Sequence, residues 1–153
     1  MSPGVVVLVV AVVLALGFGV YRALTDGRFR GTHRVKGADA VAGSTALDVA
    51  ASVLAGTRWA EDLGDRATLV QFSSAFCAPC RATRHVLEDV AARSPGVTHV
   101  EIDAEHHLDL VRALGVMRTP TTLLLDGSGR EVTRAAGAPT RAEVEAALAA
   151  LKG

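Results

Sequence analysis

The stretch Phe76-Cys77-Ala78-Pro79-Cys80-Arg81 holds both cysteines of a 153-residue sequence, and the elements on either side of it are organised around this pair. The run before it, Thr68-Leu69-Val70-Gln71-Phe72, is apolar and rich in strand-forming residues. The run after it, residues 81–93, carries apolar side chains at helical spacing. The pattern predicts that the cysteine pair lies where a buried strand ends and an amphipathic helix begins.

Two cysteines three positions apart at the start of a helix can form and break a disulfide. Such residues lie on one helix face, within the Cα separation of roughly 4.4–6.8 Å that a disulfide needs. Unpaired N–H groups at the helix start favour an anion, which lowers a thiol pKa below its free value of about 8.5. Pro79 suits the first helical turn, and Arg81 and Arg84 add positive charge. We predict that Cys77 is the nucleophile and that Cys80 resolves the mixed disulfide.

Two other uses of the cysteine pair remain open. A zinc site would need histidines to complete its ligand set, because structural zinc usually takes four ligands. The five histidines show no H-x3–5-H spacing; they are His33, His85, His99, His106 and His107. A purely structural disulfide would gain little chain entropy from so short a loop. The sequence therefore favours a redox-active pair, and we predict no metal site.

The block from Thr68 to Leu151 resembles the thioredoxin family. The matching pieces occur in family order and spacing: Leu69-Val70-Gln71-Phe72, Cys77-Ala78-Pro79-Cys80, Val100-Glu101-Ile102-Asp103 and Gly115-Val116-Met117-Arg118-Thr119-Pro120-Thr121. The resemblance implies an α/β thioredoxin fold, with a central mixed sheet flanked by helices, and a thiol–disulfide oxidoreductase that needs no cofactor. It also implies a cis peptide bond before Pro120. The substrate-binding residues that it implies are Phe76, Ala78, Pro79, Thr119 and Pro120.

The sequence departs from the family pattern around the cysteines. Ser73-Ser74-Ala75-Phe76 replaces the family's Trp-Ala-x-Trp, and Ala78 replaces its glycine. Gln71 occupies the position of a buried strand aspartate that is thought to assist proton transfer, and the lysine that partners this aspartate falls near His99. A glutamine hydrogen-bonds but does not titrate. Gln71 marks the position of the relay in the family pattern. Because it cannot titrate, His99 and Glu101 are the candidates to take over the proton transfer.

Periodicity and turn signals predict the remaining elements in the order of a thioredoxin fold. We predict strand 68–73, helix 77–93 and a parallel strand 97–102. A short helix follows, which buries Leu108, Val111 and Leu114 and ends at Gly115. Hairpin strands 121–125 and 131–135 come next, and the last helix begins at the capping box Thr140-Arg141-Ala142-Glu143. Trp59 is expected in the core, and His106 and His107 are expected to be solvated. Residues 46–54 fit either a helix or an extra strand.

The amino-terminal region predicts a transmembrane anchor over residues 1–24. Gly4 to Val20 contains no charged or polar side chain, and with residues 21–24 the apolar stretch reaches about 20 residues, enough for roughly 30 Å of helix. Tyr21 and Arg22 suit anchors at the membrane interface. A cleaved signal peptide is the rival interpretation. Against it, no Lys or Arg precedes the apolar run, and no Ala-x-Ala sequence follows it.

Charge divides the chain into a basic amino-terminal part and a mildly acidic remainder. Residues 1–36 carry five basic residues and one acidic residue, whereas residues 37–153 carry 11 basic and 15 acidic residues. Residues 25–45 are polar, Gly-rich and basic, so we predict a linker there and a thioredoxin-like domain over 46–153. The folded part has no basic patch with aromatic residues, so nucleic-acid binding is not expected.

The basic residues bear on topology, because none precedes the apolar span and five follow it closely: Arg22, Arg28, Arg30, Arg34 and Lys36. The positive-inside rule then predicts a single-pass protein with a cytoplasmic thioredoxin-like domain. An extracytoplasmic domain is the alternative, since membrane-tethered thioredoxin-like proteins often face the oxidising side.

These observations predict a membrane-tethered thiol–disulfide oxidoreductase. The expected partners are disulfide-containing or dithiol protein clients, a thiol electron donor, and the membrane through the amino-terminal helix. Two alternatives stay open: a non-catalytic binding module with a thioredoxin fold, and a thiol reductase dedicated to one client in metal or haem protein assembly.

Overall fold

The computed structural model describes residues 2–25, 29–31 and 52–151. In chain order the elements are α1 (Pro3–Thr25), β1 (Phe29–Gly31), β2 (Ala67–Ser73), α2 (Ala78–Arg93), β3 (Val97–Asp103), α3 (Leu108–Ala113), β4 (Thr121–Asp126), β5 (Glu131–Ala136) and α4 (Arg141–Ala149). Most of the predicted linker, and residues 46–51 of the region where a helix or strand was expected, lie outside the described residues. The predicted order of strands and helices from β2 to α4 is confirmed.

The described strands form one mixed sheet in the order β1-β5-β4-β2-β3. Strand β2 pairs with β3 in parallel, as predicted, and with β4 in antiparallel orientation. All seven residues of β2 are buried, because neighbouring strands flank it and helices cover the sheet. The cysteine pair follows β2 closely in the chain, so a fully buried strand in the interior of the sheet positions the site.

Two apolar clusters fill the space on either side of the sheet. One contains Val70 and Phe72 of β2 together with Leu54 and Trp59, which confirms the predicted core position of the tryptophan. The other joins Leu69 of β2 to side chains of α2 and α4. The alternation of side chains along β2 explains the division, because successive residues of a strand face opposite sides of the sheet.

Three local expectations were wrong. Phe29–Gly31 lies inside the predicted linker, yet it forms an edge strand whose Phe29 pairs with Ala135 and packs against the second cluster. Leu108 was expected in the buried face of α3, but 49% of its surface is exposed. Its neighbour Leu110 packs against the core instead. His107 was expected to be solvated, but its ring meets the Trp59 ring edge-on, with centroids 4.7 Å apart.

Helix α1 presents apolar side chains to its surroundings along its length. The large apolar side chains from Val5 to Tyr21 are 45–68% exposed. Within the described residues, Pro3–Tyr21 is the one helical stretch long and apolar enough to cross a membrane. Its length and composition fit a membrane span, and a signal sequence near the amino terminus fits the same description.

Candidate active site

The two cysteines form a disulfide at the start of α2. Their Cα atoms are 5.2 Å apart. Cys77 is the N-cap residue of the helix, and its Sγ accepts a hydrogen bond from the Cys80 backbone N–H at 3.1 Å. Pro79 occupies the first turn, where a helix needs no N–H donor. Cys80 is only 2% exposed, whereas Cys77 is half-buried, so the pair presents one sulfur to a partner.

A hydrogen bond between two loops joins the cysteine turn to the segment before Pro120. The Ser74 and Thr119 hydroxyl groups lie 3.1 Å apart. The Thr119–Pro120 peptide bond is cis, as the family resemblance implies. The Thr121 hydroxyl donates to the Arg118 carbonyl at 2.8 Å and closes the same turn. Residues far apart in the sequence therefore meet beside the disulfide.

Two exposed apolar side chains lie on these loops. Phe76 is 100% exposed, and Met117 is 91% exposed. Of the residues predicted to bind substrate, Phe76, Ala78 and Pro79 are exposed, Thr119 is half-buried and Pro120 is buried. Met117 was not singled out from the sequence. The available signal was an apolar residue in a loop just before the Thr-Pro pair.

Beneath the cysteines, three buried polar side chains between the sheet and α2 are neutral: Gln71, Thr83 and Thr122. Gln71 is fully buried, and its Nε2 donates a hydrogen bond to the Cys80 carbonyl at 2.9 Å. Its Oε1 has no hydrogen-bond partner, and neither has the Thr122 hydroxyl on the neighbouring strand. The Thr83 hydroxyl of α2 is also buried without a partner. Gln71 therefore holds the second cysteine in place as a neutral group.

A polar cleft of about 350 Å³ opens beside the disulfide. Its lining includes both cysteines, three arginines and two carboxylates: Cys77, Cys80, Arg58, Arg81, Arg84, Glu101 and Asp103. Arg84 donates a hydrogen bond to Glu101 at 3.1 Å. Arg58 was not singled out from the sequence; its only sequence signal is its position before the single tryptophan.

His99 does not line the cleft that contains the cysteines. It lines a separate cleft together with Trp59, Asp62 and Glu101. Burial lowers the pKa of His99, although the nearby Glu88 and Glu101 carboxylates oppose the shift. Its Nε2 atom is buried without a partner. Of the three predicted relay residues, Gln71 contacts the cysteine turn and Glu101 lines the cysteine cleft. His99 lines a separate cleft that contains neither cysteine.

Two cysteines at C-x-x-C spacing could supply half of the ligands of a tetrahedral metal site. Within residues 2–25, 29–31 and 52–151, no three His, Cys, Asp or Glu side chains come close enough together to hold a metal ion. Both cysteines are instead joined to one another.

The mixed sheet, the disulfide at a helix start and the adjacent cis proline define a protein with a dithiol–disulfide redox site. Residues 50–150 match the family model described as thioredoxin. The chain belongs to the thioredoxin family and is a thiol–disulfide oxidoreductase. Proteins of this family generally act on disulfide-containing clients and use thiol reductants.

Curated relatives share the thioredoxin part of the chain. It is 36% identical over 87 residues to the thioredoxin of Alicyclobacillus acidocaldarius, a match that covers 56% of this chain and 82% of that protein. It is 34% identical over 79 residues to the thioredoxin of Chlamydia muridarum, covering 52% of this chain and 76% of the relative.

Solved structures agree with the fold. The thioredoxin NaTrxh from Nicotiana alata superposes with a TM-score of 0.52 at 30% identity, over 58% of this chain and 76% of that chain. The thioredoxin of Fasciola hepatica gives a TM-score of 0.53 at 24% identity, over 60% of this chain and 86% of that chain, and supports the fold alone.

Proposed function

We propose that this chain is a membrane-tethered reductase of client protein disulfides, with Cys77 as the nucleophile and Cys80 as the resolving residue. The observation that carries the proposal is the asymmetry of the pair. Cys77 caps α2, is partly exposed and accepts the Cys80 N–H through its sulfur. A helix start stabilises a thiolate, whereas the 2% exposure of Cys80 keeps it from external disulfides.

The reaction proceeds by two successive displacements. In the reduced protein, the Cys77 thiolate attacks one client sulfur, so that a mixed disulfide forms and the other client sulfur leaves as a thiolate. The Cys80 thiol loses its proton and attacks the Cys77 sulfur, which releases the second client thiolate. The client gains two electrons, and the protein ends with the disulfide seen here. An external dithiol then returns it to the reduced state.

Client docking follows from the surfaces beside the exposed sulfur. Phe76 and Met117 offer apolar contact area, and Ala78 and Pro79 form the exposed start of α2. The hydroxyl contact with Ser74 holds Thr119, the residue before the cis proline, beside the cysteine turn. An extended client segment would lie along the Thr119 backbone with its disulfide at Cys77.

The proton released by Cys80 is assigned to Glu101. Gln71 lacks a titrating group, and His99 lines a different cleft. Glu101 lines the same cleft as Cys80, and its pair with Arg84 orients the carboxylate. A proton transfer from Cys80, directly or through one water molecule, then leads from the buried sulfur towards solvent.

The tether is α1, whose exposed apolar side chains suit lipid rather than water. The charge distribution supports a cytoplasmic thioredoxin domain. Membrane fractionation should retain the full chain after a carbonate wash. A reporter fused at Gly153 should read as cytoplasmic, and an extracytoplasmic signal would contradict the orientation. Release of the chain by carbonate would contradict the tether.

Trapping with single-cysteine variants tests the proposed reaction. Cys80→Ser keeps the nucleophile but cannot resolve the intermediate, so it should accumulate client proteins that a reductant releases. Cys77→Ser is the matched control and should trap none. Wild type should reduce a model protein disulfide in the presence of a dithiol donor. If Cys80→Ser traps nothing and wild type reduces nothing, the chain is a binding module rather than a reductase.

A further inference from the structure

We propose that the polar cleft beside the disulfide binds an acidic side chain of the client protein. The preferred clients would then carry Asp or Glu next to the disulfide that is reduced. The proposal rests on the proposed function and specifies its client. It follows from how the charges in the cleft are paired.

The two carboxylates of the cleft are already engaged. Glu101 pairs with Arg84 at 3.1 Å. Asp103 accepts a hydrogen bond from the Glu105 backbone N–H and lies 2.8 Å from the His106 ring nitrogen. These carboxylates are therefore not available to neutralise the remaining arginines of the cleft.

Arg58 and Arg81 have no acidic partner among the residues that the structure describes. Within the part of the chain that the structure describes, no carboxylate lies within ion-pair distance of either guanidinium. Both side chains are exposed and line the same cleft as the two cysteines. The positive charge is local, because residues 37–153 carry more acidic than basic residues, 15 against 11.

Arg58 is held in an orientation that suits a carboxylate. Its guanidinium carbon lies 4.5 Å from the centre of the Trp59 ring. Trp59 is 7% exposed and belongs to the core, so the surface on which the arginine rests is fixed. A guanidinium stacked on a ring keeps its N–H edge free for two parallel hydrogen bonds to a carboxylate.

Arg81 adds a second positive group close to the sulfurs. It follows Cys80 directly and lies in the first turn of α2, where the helix dipole also favours an anion. With a volume of about 350 Å³, the cleft takes one or two side chains of a polypeptide segment. The exposed Phe76 does not line it, so charge recognition and apolar docking are separate features.

A set of peptide disulfides tests the proposal on the full-length chain in a neutral detergent. Three peptides of equal length carry two aspartates, two serines or two lysines beside the disulfide. We expect kcat/KM to fall in the order acidic, neutral, basic, with about a 10-fold step between neighbours at low salt. The preference should shrink between about 20 mM and about 500 mM NaCl, because salt screens exposed charges.

Charge variants assign the preference to the two arginines. Arg58→Gln combined with Arg81→Gln should bring the acidic-to-basic rate ratio to within about 3-fold of unity. Arg93→Gln combined with Arg112→Gln removes the same charge from two exposed residues that do not line the cleft, and should leave the ratio as in wild type. Arg58→Glu should reverse the preference in part, a gain that misfolding does not produce.

The outcomes separate this inference from the proposed function. Equal rates for the three peptides, or a wild-type ratio in the Arg58/Arg81 double variant, would overturn the charge preference while the reductase activity stands. Failure to reduce any of the three peptides would overturn both.

Discussion

The Gln71 side-chain amide donates a hydrogen bond to the backbone carbonyl of Cys80 at 2.9 Å, beneath the disulfide. A neutral buried group thus supports the cysteine turn at the position where the family pattern has an aspartate. The acceptor is a carbonyl, so the amide nitrogen must face it, and Oε1 is left without a donor. Of the described residues beneath the disulfide, the buried polar side chains Gln71, Thr83 and Thr122 are all neutral and do not titrate.

Gln71→Glu should make the stability of the protein depend on pH. A carboxyl group at this fully buried position stays protonated in the folded state, because burial raises the pKa of an acid. The unfolded chain ionises above about pH 4.3, so the variant should lose stability as the pH rises from there, by up to about 1.4 kcal/mol per pH unit. Urea unfolding at pH 4.5 and pH 7.5 measures the effect. The nearly isosteric Gln71→Leu is the control and should show no such loss; a pH-independent Gln71→Glu variant would contradict the prediction.

Alkylation of the reduced protein should distinguish the two sulfurs. Cys77 caps a helix and is partly exposed, so it should react with iodoacetamide first, with a rate that reaches half its maximum well below pH 8.5. Cys80 is 2% exposed and should react at least about 100-fold more slowly. Mass spectrometry of peptides after short labelling at several pH values gives both rates. Equal labelling, or a Cys77 profile like that of free cysteine, would count against the assigned roles.

Phe76→Ala with Met117→Ala should weaken client docking without weakening the fold. Both side chains are more than 90% exposed, so little core packing is lost. We expect KM for a protein disulfide to rise about 5-fold to 10-fold. This corresponds to roughly 0.5–0.7 kcal/mol for each of the two apolar contacts, because a docked client covers them only in part. A small disulfide reagent should be reduced at the wild-type rate. Val132→Ala, which is 41% exposed on β5, is the matched control. An unchanged KM would exclude these residues from docking.

The hairpin turn between β4 and β5 should lose stability in acid. Burial raises the pKa of Asp126, but hydrogen bonds from Ser128 and Arg130 outweigh it and lower the pKa from 3.8 to about 2. Because the folded pKa lies below the unfolded one, the contribution is complete above about pH 4 and is lost as the pH falls towards 2.

Asp126→Asn should remove this acid sensitivity and lower stability at pH 7 by about 1 kcal/mol, a modest value because solvent screens the pair with Arg130. Thermal melts between pH 2 and pH 7 provide the measurement. The fully exposed Asp109→Asn serves as control and should melt like wild type. A variant that keeps the wild-type pH profile would show that another group dominates.

The edge strand β1 should contribute to the stability of the thioredoxin domain. Phe29 packs against the second core cluster, and β1 covers the hydrogen-bonding edge of β5. A soluble fragment that starts at residue 26 should therefore melt several degrees above one that starts at residue 45. The longer fragment keeps the burial of Phe29 and the pairing of β1 with β5, which together stabilise it by about 1–2 kcal/mol. Phe29→Ala in the longer fragment should account for part of the difference. Identical melting temperatures would mean that β1 pairing is marginal in solution.

The features that rest on local chemistry could be predicted from the amino-acid sequence. The apolar run of β2, the cysteines at a helix start and the capping box at Thr140 are all confirmed. Gly115 adopts a positive φ of 61° two residues beyond the end of α3, a conformation that glycine tolerates. Each of these signals involves residues within a few positions of one another, so a pattern in the chain is enough to reveal it.

Which distant residues meet at the site became visible only in the folded chain. Arg58 joins the cysteine cleft from a loop that precedes β2, His99 is directed into a different cleft, and Phe29 pairs with β5 across the domain. Such contacts depend on how the sheet and helices pack together. A single charged or aromatic residue forms no periodic sequence pattern, so the sequence does not reveal which distant residues it contacts. Local patterns therefore placed the reactive sulfurs, whereas the fold supplied the charged surroundings that we propose select the client.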